Sequence, residues 1–432
     1  TGDYLSEELT VGNYILNSDG TRKGMIIECD ENGDVTWATS IDCWSATNIS
    51  EGAEDGFIVG GIYQESFTIG DYELVGDGNL YNGFIAKFDS NYNVEWTTKI
   101  ELNLRGYNGN NVYVTTTNNG YAITGLYDNT ITLGNTSLTG EHSNNSFAAQ
   151  IDNEGNILWA TSVAPDKNIN VSSICTDQNN NLIICGIIRD IGEESILTVK
   201  YGKVTTDAVS ITDARTVGGS GSDAINTIAK TSDGGYVAGG SFSGTIQIGN
   251  YEVTSQGSTD GILIKYDASN NVEWAKTFGG TGAENINKVI QTDDEGFIIT
   301  GNFKTSGLVI GNDIYENYGG SDGIVIKYDK NGNIEWSSNI AKNSNDDMFD
   351  VVQANDGSYI VVGKFFSISN AENPKLDYME MIISNEKITT TRPVGGIIIR
   401  YNLNGKIEWY EQHYSVTSTN SIVMLNDGSY IV

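Results

Sequence analysis

The chain has 432 residues, 38% hydrophobic and 10% aromatic, with 56 acidic against 24 basic side chains and a net charge of −32 at pH 7. So negative a surface repels polyanions, which excludes nucleic acid and disfavours anionic membranes as partners. No run of about eighteen apolar residues occurs, and the opening TGDYLSEELTVG has neither a basic nor an apolar targeting segment, so membrane insertion is not expected.

Along the chain one grammar recurs. A short apolar run leads into a turn of the type DGG, DEG or NNG and a second apolar run, as in INTIAKT and YVAGGSF. Turn residues between β-rich runs mark hairpins. A polar excursion follows, with glycine before Asn or Asp at Gly12, Gly70, Gly134, Gly249 and Gly311, a pairing that suits a two-residue turn with positive φ. A third run such as GILIKYD then reverses through ASNN or KNGN into a fourth, VEWAKTF or IEWSSNI.

The reversals DENGDVTW, DSNYNVEW, DNEGNILW, DASNNVEW, DKNGNIEW and NLNGKIEW, with one degenerate unit at about 172–217, make seven units. Each regular unit ends in a tryptophan: Trp37, Trp96, Trp159, Trp274, Trp336 and Trp409; in the degenerate unit Asp213 takes that place and the extra hairpin is missing. The closing DGSYIV (Asp427 to Val432) read into the opening residues parallels DGGYVAGGSF, so the C-terminus is expected to supply inner strands to the blade whose outer strands lie at the N-terminus. The same break is compatible with a window cut from a longer repeat array.

Four antiparallel strands per unit and no helix predict an all-β, seven-bladed β-propeller spanning 1–432 as one domain and closed by strand pairing of the two ends. The stretches Val217 to Phe242 and Phe278 to Phe303 resemble the bacterial seven-bladed propeller repeat called SBBP, and the likeness extends as repeat grammar over most of the chain. That resemblance implies an extracellular or cell-surface location and brings no catalytic residues with it. The D-x-x-G-x-x-x-W hairpin also looks like that of quinoprotein-type propellers, a structural echo only.

The repeated tryptophans are expected to fill wedges between neighbouring blades, where one indole buries about 150 to 250 Å². Cys29, Cys43, Cys175 and Cys185 are too few for a disulfide scaffold. Cys175 and Cys185 flank the turn DQNNN, a spacing compatible with a cross-strand bridge or with two buried thiols. DENGD, DNEGN and DKNGN imitate the start of a calcium loop but lack its later glycine and bidentate Glu, so no cofactor is expected and calcium is the one cation those turns admit.

His142 and His413 are the only histidines, which excludes a histidine-rich metal site. On the face carrying the loops from strand four to the next blade and from strand two to strand three, the candidate ligand-binding residues are Trp44, Arg105, His142, Lys167, Asp223, Glu284, Asp346, Asp347 and His413. No nucleophile elbow, P-loop or dinucleotide fingerprint is present, and no catalytic residue is assigned. The expectation is a monomeric, secreted or cell-surface binding module recognising a glycan, peptide or protein through that face. The alternatives are a polysaccharide hydrolase or lyase at the channel mouth, using His413 or a carboxylate pair, and a structural spacer in a larger adhesin.

Overall fold

The computed structural model describes residues 2–52, 56–106, 112–142, 144–190, 193–202, 211–219, 221–367, 380–390, 394–414 and 416–432. Seven four-stranded antiparallel blades and no helix among these residues define an all-β, seven-bladed β-propeller. The six complete meanders can be read directly from the order of pairing: blade 3 takes Tyr113–Thr117, Gly120–Tyr127, Asn145–Ile151 and Ile157–Val163; blade 5 takes Ala224–Lys230, Tyr236–Phe242, Asp260–Tyr266 and Val272–Phe278. Blades 2, 6 and 7 follow the same order from Ser45–Glu51, Glu284–Gln291 and Asp347–Gln353, and blade 4 from Ile169–Thr176.

Contacts divide the chain into two compact units, one of Thr1–Gly192, Ile196–Thr216 and Ser421–Val432, the other of Glu193–Ser195 and Val217–Asn420. In the first, blade 1 is assembled from both ends. Tyr430–Ile431 and Gly2–Tyr4 lie against successive parts of Lys23–Cys29, which pairs on its other side with Val35–Ile41. Ile27 and Val432 exchange both backbone hydrogen bonds, at 2.8 and 2.7 Å.

Third strands such as Asp260–Tyr266 are buried at every position, which accounts for their central Ile and Leu residues; fourth strands such as Val272–Phe278 mix exposed and half-buried positions. A bulge recurs near the end of the third-to-fourth pairing in six blades: in blade 5 Lys265 opposes Trp274 while Tyr266 opposes Val272, leaving Glu273 as the extra residue. The bulge brings Glu273 to 2.9 Å from Lys265, so an otherwise buried ammonium is neutralised within its own blade.

Four of the repeated tryptophans lie between blades, Trp96 buried and Trp37, Trp274 and Trp336 half-buried. Each packs under the third-to-fourth turn of the next blade. Trp96 donates to Asn153 O at 2.7 Å and Trp336 to Leu403 O at 3.1 Å, while Trp37 stacks on Tyr92 at 4.4 Å. A Cβ on Gly155 would stand 2.7 Å from the Trp96 ring, and one on Gly332 3.3 Å from that of Trp274. Glycine at those turns serves the packing of the indole as well as the positive φ of 88° and 73°.

Extra hairpins stand at Glu8–Val11 with Tyr14–Asn17, Thr130–Leu133 with Thr136–Thr139, Thr245–Ile248 with Tyr251–Thr254, and Leu308–Ile310 with Asp313–Tyr315. In blade 2 the hairpin is a continuous extension of Phe57–Ile69 and Tyr72–Phe88. The excursion of blade 7 behaves differently. Its hairpin, Glu380–Ile383 with Glu386–Thr389, adds to the outer edge of blade 6, where Ile340 pairs with Ile383. The remainder of that excursion, 368–379 and 391–393, lies outside the described residues.

All four cysteines are free and buried. Cys175 stands opposite Ile183 and Cys185 opposite Ser173, so the two thiols are not cross-strand partners. In the DENGD-type turns the leading Asp already works as a cap: Asp30 Oδ1 accepts from the amides of Asn32 and Asp34 at 2.8 and 3.0 Å.

Candidate functional site

The structure separates the nine candidate residues into three groups. Asp223, Glu284 and Asp346 are fully buried, which corrects their expected place among ligand-binding residues of the loop face. Each pins its own loop. Asp223 accepts from the amides of Gly219 at 2.8 Å and Ser243 at 3.1 Å; Glu284 from Gly280 at 2.9 Å and from Thr305 N and Oγ1; Asp346 from Lys342 and, at 2.9 Å, from Phe366. Burial, then the nearby Asp322, holds the Asp346 carboxyl well above the ordinary carboxylate range. Burial also raises Asp223, with Glu194 adding to it. These acids close the connection between blades and are not presented to a ligand.

His413 is a second correction, because it lies in the fourth strand of blade 7, opposite Gly396, and not in a loop. It is 7% exposed, its Nε2 has no hydrogen-bond partner among the described residues, and burial pulls its pKa down to about 4. A buried imidazole with so low a pKa is poorly placed for general acid–base work at neutral pH. Asp347 is engaged as well, accepting from Asn302 Nδ2 at 2.7 Å and pairing with Lys364 at 3.1 Å.

Arg105 is exposed, Lys167 half-buried with its amide bonded to Ala164 O at 3.0 Å, and His142 is held by its backbone to the Asn145 side chain. Trp44 lines a cavity. That cavity, about 290 Å³, opens among the loop before Lys23–Cys29, the loop between Val35–Ile41 and Ser45–Glu51, and residues Gln64 to Ser66 of blade 2's second strand.

Its geometry follows from paired charges. Arg22 binds the buried Asp3 through Nε and Nη2, both at 2.7 Å, which holds the guanidinium 5.8 Å over the Trp44 ring. Lys23 meets Asp42 at 2.7 Å, a bond that raises the lysine pKa. Tyr81 fixes Trp44 by an edge contact at 5.4 Å. At the base, burial pushes the Cys43 thiol up to about 12, so it is no nucleophile at neutral pH. The recess thus offers one indole, cationic donors, the Gln64 amide and the acids Asp42 and Glu65, and no activated attacking group.

Sequence reasoning singled out Trp44 as the tryptophan outside the repeat, but Asp3, Arg22, Lys23, Asp42 and Gln64 carried no signal, since their convergence depends on the pairing of chain ends in blade 1. Lys342 was also missed. It is fully buried, donates to Thr390 Oγ1 at 2.5 Å, sits 5.5 Å from the Phe365 ring, and burial lowers its pKa to about 8 against the opposing pull of Asp346.

Fold and recess together define a β-propeller with a polar, aromatic-walled cleft. No protein-family model and no curated protein matches the sequence. Among solved structures the chain is similar to Sqt1 of Chaetomium thermophilum at 10% identity, over 74% of this chain and 92% of that one, with a TM-score of 0.30. A protein of unknown function from Dyadobacter fermentans DSM 18053 gives 7% identity, 78% and 93% coverage and a TM-score of 0.35. Extracellular domains 1-2 of Drosophila Semaphorin 1b give 7%, 76% and 85%, and 0.27. The fold class therefore rests on the chain's own strand topology. Among the described residues no helix is long and apolar enough to cross a membrane, and no group of three His, Cys, Asp or Glu is placed to hold a metal.

Proposed function

We propose that the protein is a secreted or cell-surface binding module of SBBP-like type whose Trp44 cleft recognises a glycan. The observation that supports this is the cleft's chemistry: a tryptophan held in place by Tyr81 and Arg22, ringed by side chains that donate and accept hydrogen bonds. Sugars present one apolar face and a rim of hydroxyls, which such a surface complements. Hydrolysis is less well supported, because His413 is buried and neutral and the buried carboxylates hold backbone amides.

Glycan arrays probed with the parent chain and Trp44→Ala test the reading. Retained glycans should bind the variant about tenfold or more weakly, with an unchanged melting temperature. Silence on glycans with binding to peptide or matrix-protein arrays would move the ligand class; silence on all of them would leave the spacer reading. Release of reducing ends from a polysaccharide would favour the enzyme.

A further inference from the structure

We propose a second binding site, at the opposite end of strand Lys23–Cys29 from the Trp44 cleft: the cavity of about 430 Å³ bounded by Glu28, Phe57, Asp89, Tyr92, Leu425 and Asp427 takes an alkylammonium group, the chemistry of a lysine side chain. The argument comes from comparing the blades with one another. Near the end of the third strand, blades 2, 5, 6 and 7 carry a buried cation: Lys87, Lys265, Lys327 and Arg400. Each meets the acid at the bulge of the fourth strand, Glu95 at 3.1 Å, Glu273 at 2.9 Å, Glu335 at 2.9 Å and Glu408 at 3.0 Å. In blades 5 to 7 the same cation also meets the acid of the inner turn, Asp233 at 2.7 Å, Asp294 at 2.9 Å and Asp356 at 2.6 Å.

Blade 1 breaks this pattern in one direction only. Glu28 stands where the cation belongs and Thr36 where the bulge acid belongs, yet the inner-turn acid is kept as Asp427. Blade 3 shows what a neutral replacement looks like: Gln150 and Leu158 take the two strand positions, Asn118 and Asn119 fill the turn, and Trp159 donates to Gln150 at 2.9 Å. Blade 1 instead retains negative charge and opens a cavity beside it.

Glu28 is 4% exposed and, among the described residues, its oxygens accept from hydroxyls alone, Thr36 at 2.6 Å, Tyr92 at 2.5 Å and Ser429 at 3.1 Å. Among the described residues no Lys, Arg or His lines the cavity. Asp89 and Asp427 are both held below the ordinary carboxylate range, by Asn93 and Ser429 respectively, so they face the cavity ionised. The walls are aromatic. Tyr92 lies flat on Trp37, Phe57 lies flat on Phe88 at 4.7 Å, and Tyr92 occupies φ 66°, at the turn position where other blades have Gly33, Gly155, Gly332 and Gly405. Carboxylates at the end of an aromatic slot receive an ammonium head and its methylene stem. A guest cation would restore the neutralisation that the other blades obtain internally.

The test is titration of the full chain with N-acetyl-lysine methylamide, followed by calorimetry and by indole fluorescence. The norleucine analogue, which lacks the charge, and n-butylamine serve as comparisons. Saturable binding of the lysine amide and none of the norleucine amide is expected. Butylamine binding equally well would assign the natural ligand to free amines, and weaker butylamine binding to a peptide lysine; both outcomes support the site. Glu28→Gln and Asp427→Asn should each weaken binding by about tenfold. Glu28→Lys with Thr36→Glu writes the ion pair of the other blades into blade 1, and should abolish binding while keeping the melting temperature. No saturable signal up to about 10 mM lysine amide, or binding untouched by all three variants, would overturn the proposal.

Discussion

Burying the His413 imidazole ties stability to acid pH. Its pKa near 4 in the folded chain lies below the ordinary 6.5, so the unfolded chain takes up the proton first. The contribution is fully present above pH 6.5 and is lost as pH falls towards 4, by about 3 kcal/mol. The raised carboxyls Asp223, Asp260 and Asp346 act with the opposite sign, since a protonated acid is the form the fold prefers and their support fades as pH rises. The effect of His413 is therefore read as a difference. Denaturant unfolding of the parent and His413→Leu at pH 7 and pH 4.5 should show the variant gaining about 2 kcal/mol relative to the parent at the lower pH. Equal differences at the two pH values would show that the imidazole titrates normally.

At the scale of the element, the turn that covers each indole is the part of the repeat most sensitive to one atom. Gly405 and Gly244 both have positive φ, 74° and 72°. A Cβ on Gly405 would stand 2.4 Å from the Trp336 ring, whereas one on Gly244 meets nothing within 4 Å. Both alanine variants carry the conformational cost of about 1 kcal/mol, and Gly405→Ala should lose roughly 1 to 3 kcal/mol more from displacing the indole. Thermal unfolding compares them, and matching losses would mean the turn yields without strain. The tryptophan spacing and the reversal turns made these elements legible from residues alone, because turn chemistry is local and the repeat restates it blade by blade. The bulge that joins Lys265 to Glu273 was not legible, since Glu273 stays on the solvent side and only the extra residue lets its carboxylate reach Lys265. Nor was the transfer of the Glu380–Thr389 hairpin to blade 6, a choice of edge made by Ile340 and Ile383 across more than one strand. Among site residues, Trp44 stood out by departing from the repeat; Asp223, Glu284 and Asp346 looked like loop acids because sequence shows a carboxylate but not the amides converging on it.

For the molecule as a whole, the charge of −32 sets a common condition on both proposed sites, favouring neutral or cationic ligands over anionic ones. The pairing of Ile27 with Val432 has another consequence. A ribosome delivers Lys23–Cys29 some four hundred residues before its inner partner Tyr430–Ile431, so a nascent chain carries an open β-edge while six further blades are being made. Such an edge recruits other strands, and removing residues 421–432 should leave chains that form aggregates on light scattering or stay bound to chaperones; a truncated chain that remained dispersed and fully folded would show that Gly2–Tyr4 seals the edge alone.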